Sequence, residues 1–209
     1  MEPIEFEFWN KGKLVAGLDE AGRGPLAGPV VVACVIFPPF TEFFLDSDSK
    51  KLSPAKRVFF FKKILRKALY VGVSFATPRE IEEFNVYRAT QRAYLKALEN
   101  IPFNLGGVIT DYMPLKLDIP VISPPKADEK IFSVAAASVV AKVIRDRIME
   151  LYSIRFPDYG FEKHKGYPTK EHIKALKTSG VSEIHRRNYK PVKEVLTGKL
   201  FGEGGKNKP

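Results

Sequence analysis

The stretch Gly17-Leu18-Asp19-Glu20-Ala21-Gly22-Arg23-Gly24-Pro25-Leu26-Ala27-Gly28-Pro29 decides how the rest of the chain is read. Two adjacent carboxylates close the apolar run Lys13–Leu18, a glycine- and proline-rich segment follows, and a second apolar, β-branched run covers Val30–Phe37. That pattern predicts two antiparallel strands joined by a tight loop. A carboxylate at a buried strand end is costly unless something pairs with it, and a divalent cation is a partner that also brings chemistry. Taken in isolation, an Asp-Glu pair is more simply a solvated turn. The Gly22, Gly24, Gly28 spacing is one residue too long for a dinucleotide-binding fingerprint, and the loop joins strand to strand where that motif requires a helix.

Further along, Ser53-Pro54 marks a helix start, with Phe60, Ile64 and Ala68 at helical spacing and Lys62, Lys63, Arg66 and Lys67 on the outer face. Tyr70–Ala76 reads as a strand, and Thr77-Pro78-Arg79-Glu80 as a capped helix start running toward Asn100 with a break near Phe84–Asn85. Gly107–Asp111 and Val121–Ser123 read as short strands. Glu129–Ile154 reads as one helix, apolar on nearly every side in its first half, and a further helix is expected between Thr169 and Thr178. Strands and helices in this mixed order imply an α/β domain whose mixed sheet is covered by helices. We divide the chain into a core at 1–155, a helical extension at 156–201 and a flexible tail at 202–209.

The 209 residues include 34 Lys and Arg against 24 Asp and Glu, for a net charge of +10, which favours a polyanionic partner such as nucleic acid without specifying an activity. Hydrophobic content of 44% and charged content of 28% argue against disorder and fibre. The one cysteine, Cys34, lies in an apolar run and is expected to be buried, as in a reducing compartment. No secretory signal or membrane span is read, so the expected location is cytoplasmic.

Two more carboxylates change the reading of Asp19 and Glu20. Asp111 ends the apolar run Val108-Ile109-Thr110, and Asp128 stands where the long helix begins, although an Asp there is also a common N-cap. If the strands carrying Asp19 and Asp111 are parallel neighbours, their ends converge and Asp128 and Glu20 complete an oxygen-rich cluster. Such ligands select Mg²⁺ or Mn²⁺, and two such ions support phosphodiester hydrolysis. His164, His172 and His185 match no zinc spacing and are expected at the surface or against nucleic acid.

Five blocks in order, Gly17–Pro29, Asp48-Ser49-Lys50-Lys51-Leu52-Ser53, Lys126–Lys130, Ala135–Arg147 and His164-Lys165-Gly166-Tyr167-Pro168-Thr169-Lys170-Glu171-His172, resemble the ribonuclease HII family. The resemblance spans roughly Val15 to Pro191. It implies a ribonuclease H-like fold, a central mixed five-stranded sheet flanked by helices, with a helical C-terminal extension that grips the duplex. The family's four acidic positions fall on Asp19, Glu20, Asp111 and Asp128, implied to be catalytic and to hold two divalent ions, Mg²⁺ or Mn²⁺. Gly22, Arg23 and Gly24 match the element that meets the ribose 2′-hydroxyl. Lys50 matches a phosphate-binding lysine, and Tyr167 a tyrosine that stacks near the deoxyribose following a ribonucleotide, though a lone aromatic is more simply packing.

The implied substrates are RNA/DNA hybrids and duplex DNA with embedded ribonucleotides, cut 5′ of the ribonucleotide to leave 5′-phosphate and 3′-hydroxyl ends, by a protein expected to be a monomer. Lys142 and Arg145 are candidates to support the site, and Lys163, Lys165, Lys170, Lys174, Arg186 and Arg187 to bind phosphates. Tyr112 departs from the pattern, standing where the family usually has glycine. The glycine-arginine-glycine form favours this family over the related HIII type. No sliding-clamp-binding motif is evident near Leu200-Phe201. A duplex-binding protein without catalysis, and a nuclease of the same fold acting on all-DNA substrates, remain the alternatives.

Overall fold

The computed structural model describes residues 4–41 and 52–198. Lys50 and the 202–209 tail, together with the Leu200-Phe201 segment, lie outside the described residues. The elements run α1 (Phe6–Trp9), β1 (Leu14–Ala21), β2 (Val30–Ile36), α2 (Pro54–Lys67), β3 (Tyr70–Ala76), α3 (Pro78–Leu98), β4 (Leu105–Thr110), β5 (Val121–Ile122), α4 (Ala127–Lys130), α5 (Phe132–Arg155), a 3₁₀ turn (Pro157–Tyr159), α6 (Phe161–His164), α7 (Lys170–Ser179) and α8 (Lys190–Leu196). The five strands form one mixed sheet in the order β3-β2-β1-β4-β5, antiparallel between β1, β2 and β3 and parallel between β1, β4 and β5. No helix among the described residues is long and apolar enough to cross a membrane.

Both faces of the sheet are covered, which is why β2 is buried along its whole length. Side chains alternate across it: Val32, Cys34 and Ile36 pack with Ala89, Ala93 and Tyr94 of α3, whereas Ala33, Val35 and Phe37 pack with α5 and with Phe60 and Ile64 of α2. Burial pushes the Cys34 thiol up, so it stays protonated in that layer. Helix α5 lies so close to β1 that a Cβ on Gly17 would come within 2.3 Å of the Ser133 carbonyl carbon. Glycine is therefore a packing requirement at that position.

Local signals place the helix starts as expected. Ser53 caps α2 through its hydroxyl, and Thr77 and Glu80 form a reciprocal capping box at α3. The expected break in α3 falls at Asn85, whose φ of 64 and ψ of 163 interrupt the helix. The 129–154 helix is instead two helices separated by Ile131, at φ −115 and ψ 117, and α4 is only one turn long. The N-cap of α5 is this isoleucine, which has no capping side chain. Its place is taken by Glu5, fully buried, whose Oε1 accepts from Ser133 N at 2.9 Å and from Ser133 Oγ at 3.0 Å. A carboxylate there also complements the positive end of a 24-residue helix.

Glu5→Ala leaves the Ser133 amide without that acceptor and is expected to lower stability by about 1–3 kcal/mol. Urea denaturation checks this; an unchanged midpoint would show that the N-terminal segment is not what caps α5.

Candidate active site

Strands β1 and β4 run parallel, with Leu18 opposite Thr110 as the last registered pair. Asp19 and Asp111 are the next residue on each strand line, so the convergence expected of parallel neighbours is present. One expectation fails: the two carboxylates do not close β1. The strand continues to Ala21, with Asp19 opposite Ala33 and Glu20 opposite Val32, because β2 supplies a partner beyond the point where β4 stops. Asp19 is paired on the β2 side and open on the β4 side.

Strand alternation sends the two carboxylates to opposite faces. Asp19, only 4% exposed, turns toward α5, where the Ser138 hydroxyl bonds it, and its Oδ1 also accepts from Glu20 N at 2.8 Å. Glu20 turns toward α3, where it accepts a hydrogen bond from the Tyr94 hydroxyl and pairs with Arg23 Nη1 at 3.4 Å. Asp111 Oδ1 accepts from Ala127 N at 2.9 Å, which ties the end of β4 to the start of α4. Asp128, 2% exposed, is one residue on. It is not an N-cap: Lys126, in a left-handed conformation with φ 58, holds that position, and Asp128 lies in the first turn of α4. Ser138 and Tyr94 were not singled out from sequence. The available signal for Tyr94 was a lone phenol on the Ala89, Ala93, Ala97 face of α3.

The carboxylates oppose one another. Burial, then the charge of Glu20, and less strongly that of Asp111, hold Asp19 well above the ordinary carboxylate range, against the hydrogen bonds from Ser138 and the Glu20 amide. Burial also raises Glu20, against Tyr94 and Arg23, and burial with the charges of Glu20 and Asp19 pushes the Tyr94 hydroxyl far up, keeping it a donor. Among the described residues no three acidic, imidazole or thiol groups are already closed around one point. Each of two carboxylates has its own partner, Tyr94 for Glu20 and the Ala127 amide for Asp111. The donors are all oxygen, a set that fits hard divalent ions.

Beside the carboxylates, the Gly22–Pro29 loop has carbonyls that two buried guanidinium groups satisfy. Arg186 Nη2 donates to Gly22 O at 2.6 Å and Gly28 O at 2.8 Å, and its Nη1 to Arg23 O at 2.8 Å; the Tyr189 hydroxyl also donates to Arg23 O, at 2.6 Å. Arg145 Nε donates to Pro29 O at 3.1 Å and Nη2 to Ala27 O at 3.3 Å. Arg145 thus supports the loop. Arg186 corrects the reading of it as a surface phosphate contact, because it is fully buried. A Cβ at Gly22, where φ is +101, would lie 2.0 Å from Arg145 Nε, while Gly24 has only Tyr167 nearby, at 3.8 Å. Gly24 and the 40%-exposed Tyr167 therefore share one accessible surface. Lys142, ion-paired to Asp146 at 2.6 Å, reaches within 6.0 Å of the Tyr167 ring.

The histidines are also corrected: His164, His172 and His185 are 9%, 0% and 1% exposed, packed with Tyr159 and Phe161 beneath the C-terminal helices. Lys163, Lys170, Lys174 and Arg187 are exposed, and Lys165 is half-buried against Glu150 at 2.9 Å. Tyr112, beside Asp111, is 70% exposed at φ 51.

The family model described as ribonuclease HII matches residues 16–192. A ribonuclease HII of Bacillus cytotoxicus is 48% identical over 188 residues, covering 89% of this chain and 72% of its own. One of Aquifex aeolicus is 47% identical over 194 residues, covering 92% and 97%. Among solved structures, the ribonuclease H2 of Pyrococcus horikoshii OT3 superposes with a TM-score of 0.75 at 26% identity, over 91% of this chain and 100% of that one.

Because Asp19 is raised in the folded state, its ionisation destabilises the fold as pH rises from the ordinary carboxylate pKa of about 4 through the raised value. In chelator at pH 7, Asp19→Asn is therefore expected to melt above wild type, with the gap narrowing as pH falls toward about 4. A wild-type midpoint equal to or above that of the variant would contradict repulsion in the cluster.

Proposed function

The chain belongs to the ribonuclease HII family of metal-dependent endoribonucleases acting on the RNA of RNA/DNA hybrids, and from that premise we propose that it also cuts duplex DNA 5′ of single embedded ribonucleotides. The observation that carries the site assignment is the juxtaposition of Asp19 and Asp111 at the parallel ends of β1 and β4, with Glu20 next to Asp19 and Asp128 next to Ala127, whose amide bonds Asp111.

In this reading Asp19, Glu20, Asp111 and Asp128 hold two divalent ions, Mg²⁺ or Mn²⁺. When bound, such ions supply an activated water and neutralise charge on the phosphate, which accounts for 5′-phosphate and 3′-hydroxyl products. The remaining tasks fall to the protein. Tyr94 and Ser138 aim Glu20 and Asp19. The carbonyls of Gly22, Arg23 and Gly28 are occupied by Arg186, which fixes the loop so that the backbone at Gly22–Gly24 meets the ribose 2′-hydroxyl, the group absent from DNA. Tyr167, across from Gly24, packs on the deoxyribose that follows the ribonucleotide. Lys50 completes phosphate binding, with the exposed Lys163, Lys170, Lys174 and Arg187 as further contacts.

Residues 1–155 form the catalytic core and 156–201 the duplex-gripping extension, followed by a tail at 202–209. In this reading the protein acts as a monomer in the cytoplasm.

The test is cleavage of an end-labelled DNA duplex with one ribonucleotide, beside a hybrid and all-DNA and all-RNA controls, in Mg²⁺, Mn²⁺ or chelator. Wild type is expected to cut the hybrid and, 5′ of the ribonucleotide, the mixed duplex, only with an ion. Asp111→Asn should lose more than about 100-fold of that rate, beyond what outer residues of metal sites cost. Near-normal turnover by Asp111→Asn would remove it from the site, and cleavage of the all-DNA duplex would refute 2′-hydroxyl recognition.

A further inference from the structure

Two of the three buried histidines, His185 and His172, form a directed hydrogen-bond chain that ends on Tyr167, and the third, His164, stacks on His172. Ser182 N donates to His185 Nδ1 at 3.1 Å, so Nδ1 is an acceptor and the proton sits on Nε2. His185 Nε2 is 3.0 Å from His172 Nε2, which must then accept, leaving the proton of His172 on Nδ1. That Nδ1 lies 2.9 Å from Tyr167 O, a group that can only accept. The two ends of the chain fix the same pair of tautomers independently. His164, stacked on His172 at 4.5 Å, accepts from Gly166 N at its Nδ1 (3.2 Å) and donates from Nε2 to Tyr159 O (2.7 Å). Burial holds His172 at about 4 and His185 at about 3, so both imidazoles are neutral at pH 7.

The turn these groups grip is a demanding one. Lys165 and Gly166 take positive φ values of 52 and 83 in succession, and Gly166 O accepts from Leu26 N at 2.8 Å, joining the turn to the glycine loop. The Tyr167 ring is 40% exposed and has Arg145 and Lys142 at 5.7 and 6.0 Å from its centroid, so its placement opposite Gly24 depends on its backbone together with those two cations. An apolar filling would pack against Tyr159, Phe161 and Met149 but would take from Tyr167 O, Tyr159 O, Gly166 N and Ser182 N the partners that the imidazoles supply. What the imidazoles add is direction.

We infer that His164, His172 and His185 are positioning residues, which set selectivity for a single ribonucleotide by holding the Tyr167 backbone against the glycine loop. This rests on Tyr167 meeting the deoxyribose after the ribonucleotide. The readout is the ratio of kcat/KM on duplex DNA with one ribonucleotide to that on a long RNA/DNA hybrid, measured for wild type, Tyr167→Ala, His172→Leu, the double variant and His172→Asn.

His172→Leu is expected to lower the ratio about 5- to 10-fold, within the coupling range of contacting residues. His172→Asn, whose amide NH₂ stands where Nδ1–H stood, should restore most of it. The double variant should be no worse than Tyr167→Ala. Multiplying effects in the double variant, or Asn failing where Leu fails, would overturn the inference. If Tyr167→Ala changes the ratio and His172→Leu does not, the inference fails while the Tyr167 reading stands; if Tyr167→Ala changes nothing, both fall. Should His172→Leu not fold, His185→Leu against His185→Gln, which keeps a donor at the Nε2 position, makes the same comparison.

Discussion

Parallel pairing of β1 with β4 that stops one residue before Asp19 is the constraint on which the site depends. The last registered pair, Leu18 with Thr110, is buried on both sides and fixes where the next residues emerge. Beyond it β2 continues to hold β1, so Asp19 and Glu20 are rigid strand residues with an open flank. Rigidity without a paired neighbour on that flank is what brings several carboxylates into one buried region despite their mutual repulsion. The site is consequently a place where the fold is less stable than it could be, a common cost of function.

The second organising feature is the way the C-terminal segments lock the glycine loop. Gly166 O accepts from Leu26 N, Ile184 O from Gly28 N, and Leu26 O from Arg186 N, all between 2.8 and 2.9 Å, while the Arg186 and Arg145 side chains take the carbonyls of Gly22, Arg23, Ala27, Gly28 and Pro29. The loop is therefore held by backbone from two later parts of the chain. Nothing in its own sequence could order Gly22–Pro29 so firmly, since glycine gives the backbone freedom that only tertiary partners remove.

What could be read from sequence was local. Ser53-Pro54, the Thr77–Glu80 box and the break near Asn85 are set within a few residues, and each is found where expected. Asp19, Glu20 and Asp111 could be ranked together because they follow apolar runs, and Asp128 joined them as the acidic residue where the long helix begins. What could not be read depended on distant partners. The extension of β1 to Ala21 comes from β2, and the cap of α5 comes from Glu5, 128 residues away. Residue type misled for Arg186 and the histidines. A guanidinium that satisfies loop carbonyls and imidazoles that satisfy each other's nitrogens are both buried, and composition alone treats them as surface groups. A loop rich in glycine and proline has carbonyls to satisfy and few donors of its own, which in hindsight is a physical reason to look for a buried arginine.

The opposition among the carboxylates of β1 and β4 calls for relief by divalent ions. That relief is tested most directly by thermal denaturation across a titration of Mn²⁺ or Mg²⁺, for wild type and Asp19→Asn. Wild-type Tm should climb with ion concentration, as binding to the folded state alone requires, while the variant's Tm responds weakly. A wild-type Tm indifferent to both ions, or an equal rise in Asp19→Asn, would contradict it.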